Sequence, residues 1–498
     1  MTLQHRVLEW AVDTEAAFLR LYGTSATAFW LDSEHVEPGL DRFSFLGDAA
    51  GPLAEVVRYR VGSGTVTVRT GDGRVREEPG TILDYLAEAL RTRYVPLPEA
   101  LPFDFAGGYV GYLGYEVKAD CGGSATHRAP APDAQWLFAD RVVVVDHLAG
   151  RTHLLALAGK SVSDPAEESG GDMTGESAGS WLHTTAAILE TLPAWSNPPP
   201  IGGTPDTTGL EKHLVRGRTR YLRDIADCQS ALRSGESYEI TLTDQLTFPA
   251  VTSGLDVYRM LRRANPAPYS AYLRFDELEI ACSSPERFLK IDRNRVVETK
   301  PIKGTARRDP DPIVDERLRR ALTEDPKTRA ENVMIVDLLR NDLGRVCEIG
   351  SVRVHELLAT ETYSTLHQLV STVRGTLRAD TGVIDCLRAC FPGGSMTGAP
   401  KIRTMQIIDA LETRARGVYS GTIGFLGLGG TADLNIVIRT AVRYAGNWQI
   451  GAGGAIVLDS VAAAEYEEML LKAAAVYRAL AMEPAGAAAR VLEVPAAG

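Results

Sequence analysis

The chain has 498 residues, of which 45% are hydrophobic and 23% charged, a composition typical of a globular protein with a large core. Its formal net charge of −11 disfavours a nucleic-acid partner, because neutralising phosphates requires a basic surface and no cluster of Lys and Arg stands out. No apolar run approaches the length of a membrane span, and the first residues lack the apolar stretch of a signal peptide. We therefore expect a cytoplasmic protein without a membrane partner.

The first part of the chain, residues 1–160, mixes two patterns. Residues 65–69 and 141–145 alternate or run apolar like strands, whereas residues 82–90 have a helical period. This mixture predicts an α+β N-terminal lobe. Residues 161–209 are rich in Gly, Pro and Ser around a short helical patch, a composition typical of a flexible interdomain linker.

The predicted second domain spans residues 210–482, and residues 483–498 form a predicted C-terminal tail. Hydrophobic periodicity predicts helices at 214–234, 326–343, 382–390, 401–412 and 461–482, and strands at 237–248, 278–282, 421–428, 434–444 and 448–458. Short turns that contain Gly and Asn join the last three strands, which predicts a sheet that is at least partly antiparallel.

One lysine of the second domain lies in the segment Pro301-Ile302-Lys303-Gly304-Thr305. Proline fixes φ and glycine lets the backbone pass close to a ligand, so the segment presents one amine on a stiff loop. A desolvated lysine is a nucleophile. A surface lysine in a turn is the ordinary interpretation of such a segment in isolation, but the motifs around it favour the nucleophile.

Motifs on both sides of this lysine recur together in one enzyme family. They are SSPER at 283–287, AENVMIVDLLRND at 330–342, GSMTGAPK at 394–401, IVIR at 436–439, and a stretch at 459–468 that contains Asp-Ser and Glu-Tyr-Glu-Glu. The set resembles the chorismate-utilising enzymes, which include anthranilate, aminodeoxychorismate, isochorismate and salicylate synthases. The resemblance implies an α+β fold with two antiparallel β-sheets and helices packed between and around them.

The resemblance also implies a Mg²⁺ cofactor. Glu331 opens a predicted helix, and Glu465 and Glu468 are three residues apart on another, so the latter two share a face. Carboxylates on facing helices suit a hard cation. In the family pattern Glu331 and Glu468 bind Mg²⁺ directly, Glu465 binds it through water, and the ion holds the ring carboxylate of chorismate. Two solvated helix faces are the alternative. Thr328 stands where many relatives are acidic, which predicts weaker Mg²⁺ binding.

An arginine and a tyrosine at matching positions imply an anion pocket. Arg439 lies in an apolar run that predicts a strand, and a buried arginine requires an anionic partner. By resemblance, Arg439 and Tyr419 hold the enolpyruvyl carboxylate together with backbone N–H groups of residues 451–455. A core salt bridge is the alternative for Arg439. The other implied substrate contacts are Gly453, Gly454, Ser395, Thr305 and Lys401, whose amine would add positive charge near the ring carboxylate or the metal.

Three more side chains have roles implied by the resemblance. Glu286 would be the proton donor to the C4 hydroxyl of chorismate, which must leave as water. His367 lies one residue before the position of a histidine in anthranilate and salicylate synthases. A one-residue offset on a strand turns a side chain to the other face, so either His367 or Gln368 is expected to face the substrate. Glu239 stands where isochorismate-forming enzymes have the lysine that activates water, which argues against a hydroxylating enzyme.

Lys303 selects among the family members. Anthranilate synthases have Pro-Ile-Ala-Gly here, which leaves space for ammonia at C2 of the ring, whereas aminodeoxychorismate synthases have Pro-Ile-Lys-Gly. The resemblance thus implies an aminodeoxychorismate synthase large subunit, in which Lys303 attacks C2 and ammonia then attacks C4 and releases the lysine. The attack needs a neutral amine and hence a depressed pKa. Anthranilate synthase component I is the enzymatic alternative, and a catalytically silent tryptophan-binding regulatory subunit is less favoured.

Two further expectations concern a partner and a second pocket. No cysteine lies in the Gly-X-Cys-X-Gly elbow of a glutaminase, so the resemblance implies a separate glutamine amidotransferase subunit that supplies ammonia. Asp32, Ser33, Pro268 and Tyr269 match segments that form a tryptophan pocket in the family, with plain packing as the alternative.

Overall fold

The computed structural model describes residues 1–33, 42–159, 177–196, 201, 203, 205–363 and 366–481. The predicted tail 483–498 and residues 161–176 of the predicted linker lie outside the described residues. The described residues form two large sheets in which every strand pair is antiparallel, flanked by helices. The predicted α+β class with two antiparallel sheets is therefore confirmed.

The first sheet contains eleven strands among the described residues, numbered here in chain order. Their spatial order is β1 (Thr2–Leu8), β10 (Arg151–Ala158), β9 (Arg141–Asp146), β3 (Phe43–Asp48), β2 (Thr27–Asp32), β12 (Tyr269–Phe275), β13 (Leu278–Ser284), β22 (Thr440–Tyr444), β23 (Asn447–Ile456), β11 (Glu239–Pro249) and β19 (Gly398–Ala399).

The second sheet contains twelve strands among the described residues. Their order is β16 (Ile302–Arg307), β18 (Leu366–Thr376), β15 (Val296–Lys300), β14 (Arg287–Ile291), β21 (Ala432–Asn435), β20 (Thr422–Gly427), β7 (Gly108–Leu113), β8 (Ala134–Ala139), β4 (Glu55–Tyr59), β5 (Thr65–Thr70) and β6 (Val75–Pro79), with β17 (Arg353–Thr362) paired to β18.

Several of the helices begin at a side chain that caps their first turn. Thr81 and Asp84 form a reciprocal capping box at one of them, and Asp325 accepts a hydrogen bond from the amide of Thr328 at another. The α-helices are α1 (Thr14–Tyr22), α2 (Ile82–Thr92), α3 (Ala178–Leu189), α4 (Gly217–Arg233), α5 (Gly254–Ala264), α6 (Pro312–Glu324), α7 (Pro326–Gly344), α8 (Val383–Cys390), α9 (Lys401–Leu411) and α10 (Ala462–Leu480), and the 3₁₀ helices are Tyr115–Cys121, Glu211–His213 and Gly394–Met396.

Alternate residues of the strands divide the core into layers. Phe29 on β2 and Val110 on β7 belong to one apolar cluster, built from the faces that the two sheets turn towards each other. Their neighbours Trp30 and Tyr109 belong to two other clusters, in which each sheet packs against its own helices. The period of two along each strand therefore produces a sandwich of sheets with helices outside it. Helix α7 differs, because it contacts both β19 of the first sheet and β16 and β18 of the second.

The two predicted lobes share both sheets. In the first sheet β2 pairs with β12, and in the second sheet β7 pairs with β20. Strands from residues 1–160 are thus hydrogen-bonded to strands that follow residue 260. The domain boundaries at residues 160 and 210 remain predictions. Both sheets contain strands from before and after these residues.

Two of the places at which the chain crosses between the sheets lie next to each other. Residues 285–286 connect β13 to β14, and residues 436–439 connect β21 to β22. The Ile436 amide donates to the Glu286 carbonyl at 3.0 Å, and the Ser284 hydroxyl donates to the Ile436 carbonyl at 2.6 Å. This corrects the single strand predicted at 434–444. The crossing includes Arg439, whose φ of +51° lies in the left-handed region that a strand does not use.

The predicted helix at 214–234 begins later than expected. Leu214 forms a β-bridge with Leu246, and the Val215 amide donates to the carbonyl of Gln245, so these residues extend the first sheet instead of starting α4. Within the described ranges, none of the helices combines the length and apolar character that crossing a bilayer requires.

Candidate active site

Lys303 lies on β16 with its side chain buried between the two sheets and α7. Gly304 has a φ of +89°, and a Cβ atom there would lie 2.4 Å from the Thr328 side chain and 2.8 Å from that of Leu322. The glycine is therefore required by helix packing and by its backbone conformation, and the close ligand approach expected from the sequence stays a prediction. Thr328, which replaces an acidic residue of many relatives, packs against this turn.

The Lys303 amine is hydrogen-bonded to a buried carboxylate. Its Nζ donates to Oε1 of Glu239 at 2.5 Å, and Glu239 is fully buried at the start of β11. Ile240 and Leu242 face the helices outside the first sheet, so the alternate residue Glu239 faces inward, towards the second sheet. From the sequence, Glu239 was compared only with the lysine of isochorismate-forming enzymes, and its pairing with Lys303 was not predicted.

Carboxylates raise the basicity of Lys303. Burial alone would lower its pKa, but the negative charges of Glu239, Glu331 and Glu286 outweigh it and raise the pKa of Lys303 above its ordinary value. The depressed pKa that a nucleophilic Lys303 requires is therefore not found, and Lys303 carries a positive charge at neutral pH. A covalent role then requires a group that removes its proton.

Glu286 lies in the crossing between β13 and β14, next to Lys303. Burial raises the pKa of Glu286 to about 7, against the opposing effects of a hydrogen bond from Ser395, the charge of Lys303 and the backbone of Ile302. A carboxyl group with this pKa is about half protonated at neutral pH, far more than an ordinary glutamic acid, and so suits a proton donor. The structure thus brings three predicted site residues together: Glu286, Lys303 and Ser395.

The three predicted metal ligands surround a lysine that sequence analysis missed. Lys327 Nζ lies 2.8 Å from Oε1 of Glu465 and 3.8 Å from Oε1 of Glu331. Glu468 adds to the charge that raises the pKa of Lys327, although burial opposes the rise. The signal that could have identified Lys327 is its spacing of four residues from Glu331 on one helix.

The chemistry of this carboxylate group suits Mg²⁺. Burial raises the pKa of Glu331, the charges of Lys303 and Lys327 oppose the rise, and the charges of Glu239 and Glu465 add to it. The ammonium of Lys327 already occupies a position between two of the carboxylates, as a cation would, and all the donors are oxygens. No preformed cluster of three His, Cys, Asp or Glu side chains with metal-binding geometry is present in the part of the chain that the structure describes.

The glycines of β23 border the carboxylates. A Cβ atom on Gly454 would lie 3.4 Å from Oε2 of Glu465, and Lys472 Nζ donates to the Gly453 carbonyl at 2.9 Å and pairs with Glu468 at 2.8 Å. Strand β22 pairs with β23 only as far as Ile450. Beyond that point, the edge of β23 opposite β11 has no partner strand among the described residues, which leaves backbone groups of residues 451–455 available to an anion.

Arg439 is a half-buried cation without a counter-ion among the residues that the structure describes. Burial lowers the pKa of Arg439, and its guanidinium forms no ion pair or hydrogen bond with any residue that the structure describes. The alternative of a core salt bridge therefore has no partner among these residues. Tyr419 packs its ring on Gly451, where a Cβ atom would lie 2.2 Å from the ring. Both side chains remain available to a ligand carboxylate, and their substrate roles remain predictions.

Lys401 has a different environment from the predicted one. Its Nζ donates to Oδ2 of Asp342 and to the Cys390 carbonyl, both at 2.6 Å. This buried ion pair joins α9 to α7 and neutralises the charge that the resemblance assigned to the substrate. Thr305 lies on β16 opposite Gln368 and has an exposed side chain.

His367 and Gln368 face opposite sides of β18. The His367 ring is hydrogen-bonded through Nδ1 to the Thr362 hydroxyl at 2.9 Å and through Nε2 to Asp315 at 3.0 Å. Both ring nitrogens are therefore occupied on the side of α6. Gln368 is buried, and its Oε1 has no hydrogen-bond partner among the described residues. Of the two alternatives, the geometry favours Gln368 as the residue that faces the substrate.

The predicted tryptophan pocket coincides with a cavity between the sheets. The cavity has a volume of about 400 Å³, and Asp32, Ser33, Pro268 and Tyr269 all line it. The Asp32 carboxylate is already satisfied, because it accepts hydrogen bonds from Tyr258, Arg262 and Ser44 at 2.9, 2.8 and 3.1 Å. Binding of tryptophan there remains a prediction.

Comparison with known proteins identifies relatives over most of the chain. The profile of the chorismate binding enzyme family matches residues 55–478. The chain is 48% identical over 479 residues to the aminodeoxychorismate synthase of Streptomyces pristinaespiralis, covering 96% of this chain and 65% of that protein. It is 35% identical over 471 residues to aminodeoxychorismate synthase component 1 of Klebsiella aerogenes, covering 93% of this chain and 95% of that one.

A solved structure has the same fold. Anthranilate synthase component I from Streptococcus pneumoniae TIGR4 matches with a TM-score of 0.70 at 28% identity, covering 89% of this chain and 93% of that one. The chain spans less than two thirds of the length of the Streptomyces pristinaespiralis relative.

Proposed function

Because the chain belongs to the chorismate binding enzyme family, we propose that it is the chorismate-aminating subunit of an aminodeoxychorismate synthase. The observation that carries this proposal is the buried amine of Lys303 among carboxyl groups, at a position where anthranilate synthases have alanine. Similarity to the Streptomyces pristinaespiralis enzyme of that name supports it. The proposed reaction converts chorismate and ammonia to 4-amino-4-deoxychorismate and water.

The first half of the proposed reaction attaches the substrate to Lys303. The neutral amine attacks C2 of the ring, the ring double bonds shift, and the C–O bond at C4 breaks. Glu286 gives its proton to the departing hydroxyl, which leaves as water. With a pKa of about 7, Glu286 holds this proton in about half of the molecules at neutral pH and in more of them at lower pH.

The second half releases the substrate. Ammonia attacks C4, the double bonds shift back, and the bond between C2 and Lys303 breaks. The new ammonium group at C4 returns a proton to Glu286, so the acid is ready for the next turnover. Burial of Lys303 and Glu286 excludes water, which would otherwise compete with ammonia for C4.

Two ends of the site would bind the two carboxylates of chorismate. Arg439, which has no counter-ion among the described residues, and Tyr419 would take the enolpyruvyl carboxylate, while the unpaired edge of β23 at Gly453 and Gly454 offers backbone N–H groups beside it. A guanidinium fork matches a carboxylate in two hydrogen bonds and so fixes its orientation. This would hold C2 of the ring against Lys303.

Glu331 and Glu468 would hold Mg²⁺ directly and Glu465 would hold it through water, and the ion would supply positive charge to the ring carboxylate of chorismate. Turnover is therefore expected to stop in EDTA and in the variant Glu331→Ala, with the fold intact by circular dichroism. Undiminished turnover in EDTA would contradict the metal assignment.

A glutamine amidotransferase subunit would supply the ammonia. The printed sequence contains no cysteine in a glutaminase elbow, and the Klebsiella aerogenes relative is named as component 1 of its enzyme. We expect the purified chain to use ammonium salts but not glutamine, and to use glutamine after the partner is added. Turnover of glutamine by this chain alone would contradict the partner assignment.

Product analysis tests the proposed function. The chain is incubated with chorismate, Mg²⁺ and an ammonium salt, and the product is identified by mass spectrometry. The expected product keeps the enolpyruvyl group and carries nitrogen at C4. Anthranilate together with pyruvate would instead assign the chain to the anthranilate synthases.

A further inference from the structure

Glu239 has features that pairing with Lys303 does not account for. Its Oε1 accepts a hydrogen bond from Lys303 at 2.5 Å, but its Oε2 is buried and has no hydrogen-bond partner among the described residues. Buried carboxylates that serve only structure ordinarily have both oxygens satisfied. The Asp32 carboxylate of this chain shows that pattern, with three donors around it. Glu239 therefore has an unsatisfied hydrogen-bond acceptor beside the reacting amine.

The backbone holds Glu239 firmly in this position. Its carbonyl accepts a hydrogen bond from the Ser237 hydroxyl at 2.9 Å, and the residue pairs with Ala399 of β19. Gly398 has a φ of +142°, and a Cβ atom there would lie 1.9 Å from the Glu239 carbonyl oxygen. Glycine at 398 is thus required for β19 to come this close to β11. These contacts fix the position of the Glu239 backbone, from which its side chain reaches Lys303.

Lys303 must lose a proton before it can attack, and the groups that face it limit where that proton can go. They are Glu239 from β11, Glu331 from α7 and Glu286 from the crossing between the sheets. Glu286 must keep its own proton for the leaving hydroxyl. Glu331 affects Lys303 by its charge but makes no hydrogen bond or ion pair with it. Glu239 alone among the described carboxyl groups contacts the amine.

We propose that Glu239 is the catalytic base that takes the proton from Lys303 before attack and returns it when the amine is released. The proposal rests on the function proposed above. Movement of one proton along the existing hydrogen bond converts two buried charges into two neutral groups. Neutralisation therefore removes the free-energy cost of keeping both ions away from water. A solvent-exposed pair would not be stabilised in this way, because water already solvates its charges.

The proton balance closes over one turnover. Lys303 ammonium and Glu239 carboxylate become the neutral amine and carboxylic acid, and the amine then forms its bond to C2 while Glu286 protonates the leaving hydroxyl. After ammonia displaces the lysine from C2, the free amine takes its proton back from Glu239. The enzyme ends as it began, and chorismate plus ammonia have become the aminated product plus water.

The test measures one chemical step in the absence of ammonia. Chorismate and Mg²⁺ are mixed with the enzyme, the reaction is quenched at intervals, and the adduct on the peptide that contains Lys303 is quantified by mass spectrometry. Glu239→Gln keeps an oxygen that can accept the lysine hydrogen bond but cannot take its proton. We expect adduct formation to slow at least ~100-fold, the usual contribution of a general base, with chorismate affinity within twofold of the wild type.

A matched control is the half-buried pair of Lys300 and Glu361, whose charged atoms lie 2.6 Å apart on the sheet that contains Lys303. Glu361→Gln removes a carboxylate from a lysine three residues from Lys303 and should leave adduct formation unchanged. If Glu239→Gln does not fold, Glu239→Ala replaces it, and added formate should restore adduct formation in proportion to its concentration. No response to formate would overturn the proposal.

An electrostatic role for Glu239 predicts the opposite result. If the carboxylate only holds Lys303 in its charged form, Glu239→Gln frees the neutral amine and adduct formation becomes faster. A faster or unchanged rate would therefore overturn the proposal. Failure of the wild type itself to form an adduct would instead refute the proposed function, so the two failures are distinguishable.

Discussion

Two buried clusters of this protein each pair a cation with a carboxylate, and they differ in how completely their polar atoms are satisfied. Around Asp32, the side chains of Arg262, Tyr258 and Ser44 use both carboxylate oxygens. Around Lys303, one oxygen of Glu239 has no partner among the described residues. Both clusters include residues that family motifs predicted, so the sequence alone did not distinguish them.

The difference separates structural from chemical use of buried charge. A satisfied network gains stability and has no capacity left for another group, whereas an unsatisfied one costs stability unless a substrate or a proton completes it. The half-buried guanidinium of Arg439, without a counter-ion in the described part of the chain, belongs to the second class. Lys401, paired with Asp342, belongs to the first.

The largest expected effect comes from removing the amine itself. Lys303→Ala should abolish the covalent adduct and lower the rate of C4 amination at least ~10³-fold, as loss of a nucleophile does in other covalent enzymes. Because it recreates the Pro-Ile-Ala-Gly pattern, we also expect some C2-aminated product at high ammonium concentration. Quenched-flow peptide mass spectrometry and product analysis measure both. An alanine variant with normal turnover would show that the unsatisfied cluster is not the reaction centre.

The satisfied cluster should respond in stability rather than in chemistry. Arg262→Met keeps an apolar side chain against Trp30, whose ring centroid lies 4.3 Å from the guanidinium carbon, but leaves Asp32 without its cation. We expect the free energy of unfolding to fall by ~3 kcal/mol or more, the usual cost of a buried charge that has lost its partner. Urea unfolding measures this. A large loss of turnover per folded molecule would contradict the purely structural role of the Asp32 cluster.

The third prediction concerns how the rate of adduct formation depends on pH through the protonation of Glu286. Because the pKa of Glu286 is raised to about 7, adduct formation without ammonia should fall about tenfold for each pH unit above that value, as the acid loses its proton. The stability that Glu286 contributes should be fully present below its ordinary value of 4.5 and lost as pH rises through about 7. In Glu286→Gln, a slower reaction without this decline is expected. A decline that persists in the variant would assign the acid elsewhere.

The smallest expected effect concerns the geometry of the Arg439 guanidinium group. Arg439→Lys keeps the charge but loses the two-pronged fork, so we expect the chorismate KM to rise about tenfold, which corresponds to one charge-assisted hydrogen bond of ~1.5 kcal/mol. The kcat should change less. Steady-state kinetics measure both, with Arg443→Lys as a control because Arg443 is already paired with Glu279 at 2.7 Å. An unchanged KM would place Arg439 among the structural cations.

The sequence predicted most of the helices and strands, because these depend on local signals. Helix α7 was expected at 326–343 and is found at Pro326–Gly344, and its cap Asp325 is a neighbour in sequence. The link between Lys327 and Glu331 could also have been read from their spacing along one helix. What local signals could not supply were pairings across the sheets. Glu239 and Lys303 are 64 residues apart, and Lys401 and Asp342 are 59 apart.

Backbone irregularities also lay beyond the sequence pattern. The apolar run around Arg439 has the composition of one continuous strand, yet it divides where the chain passes from one sheet to the other. The same hydrophobic residues satisfy both arrangements, since each half still packs in a core. Only the pairing of β21 with β14 and of β22 with β13 decides between them.

The interleaving of both halves in both sheets has a consequence for how the chain reaches its native state. The partner of β2, β12, lies almost 240 residues later in the chain, and the partner of β7, β20, lies over 300 residues later. Such pairings give a high contact order, and proteins of this kind fold slowly because long loops must close before contacts form. At a synthesis rate of ~5–20 residues per second, the early strands spend many seconds with unpaired edges. The nascent chain is therefore expected to depend on chaperones until the late strands have emerged.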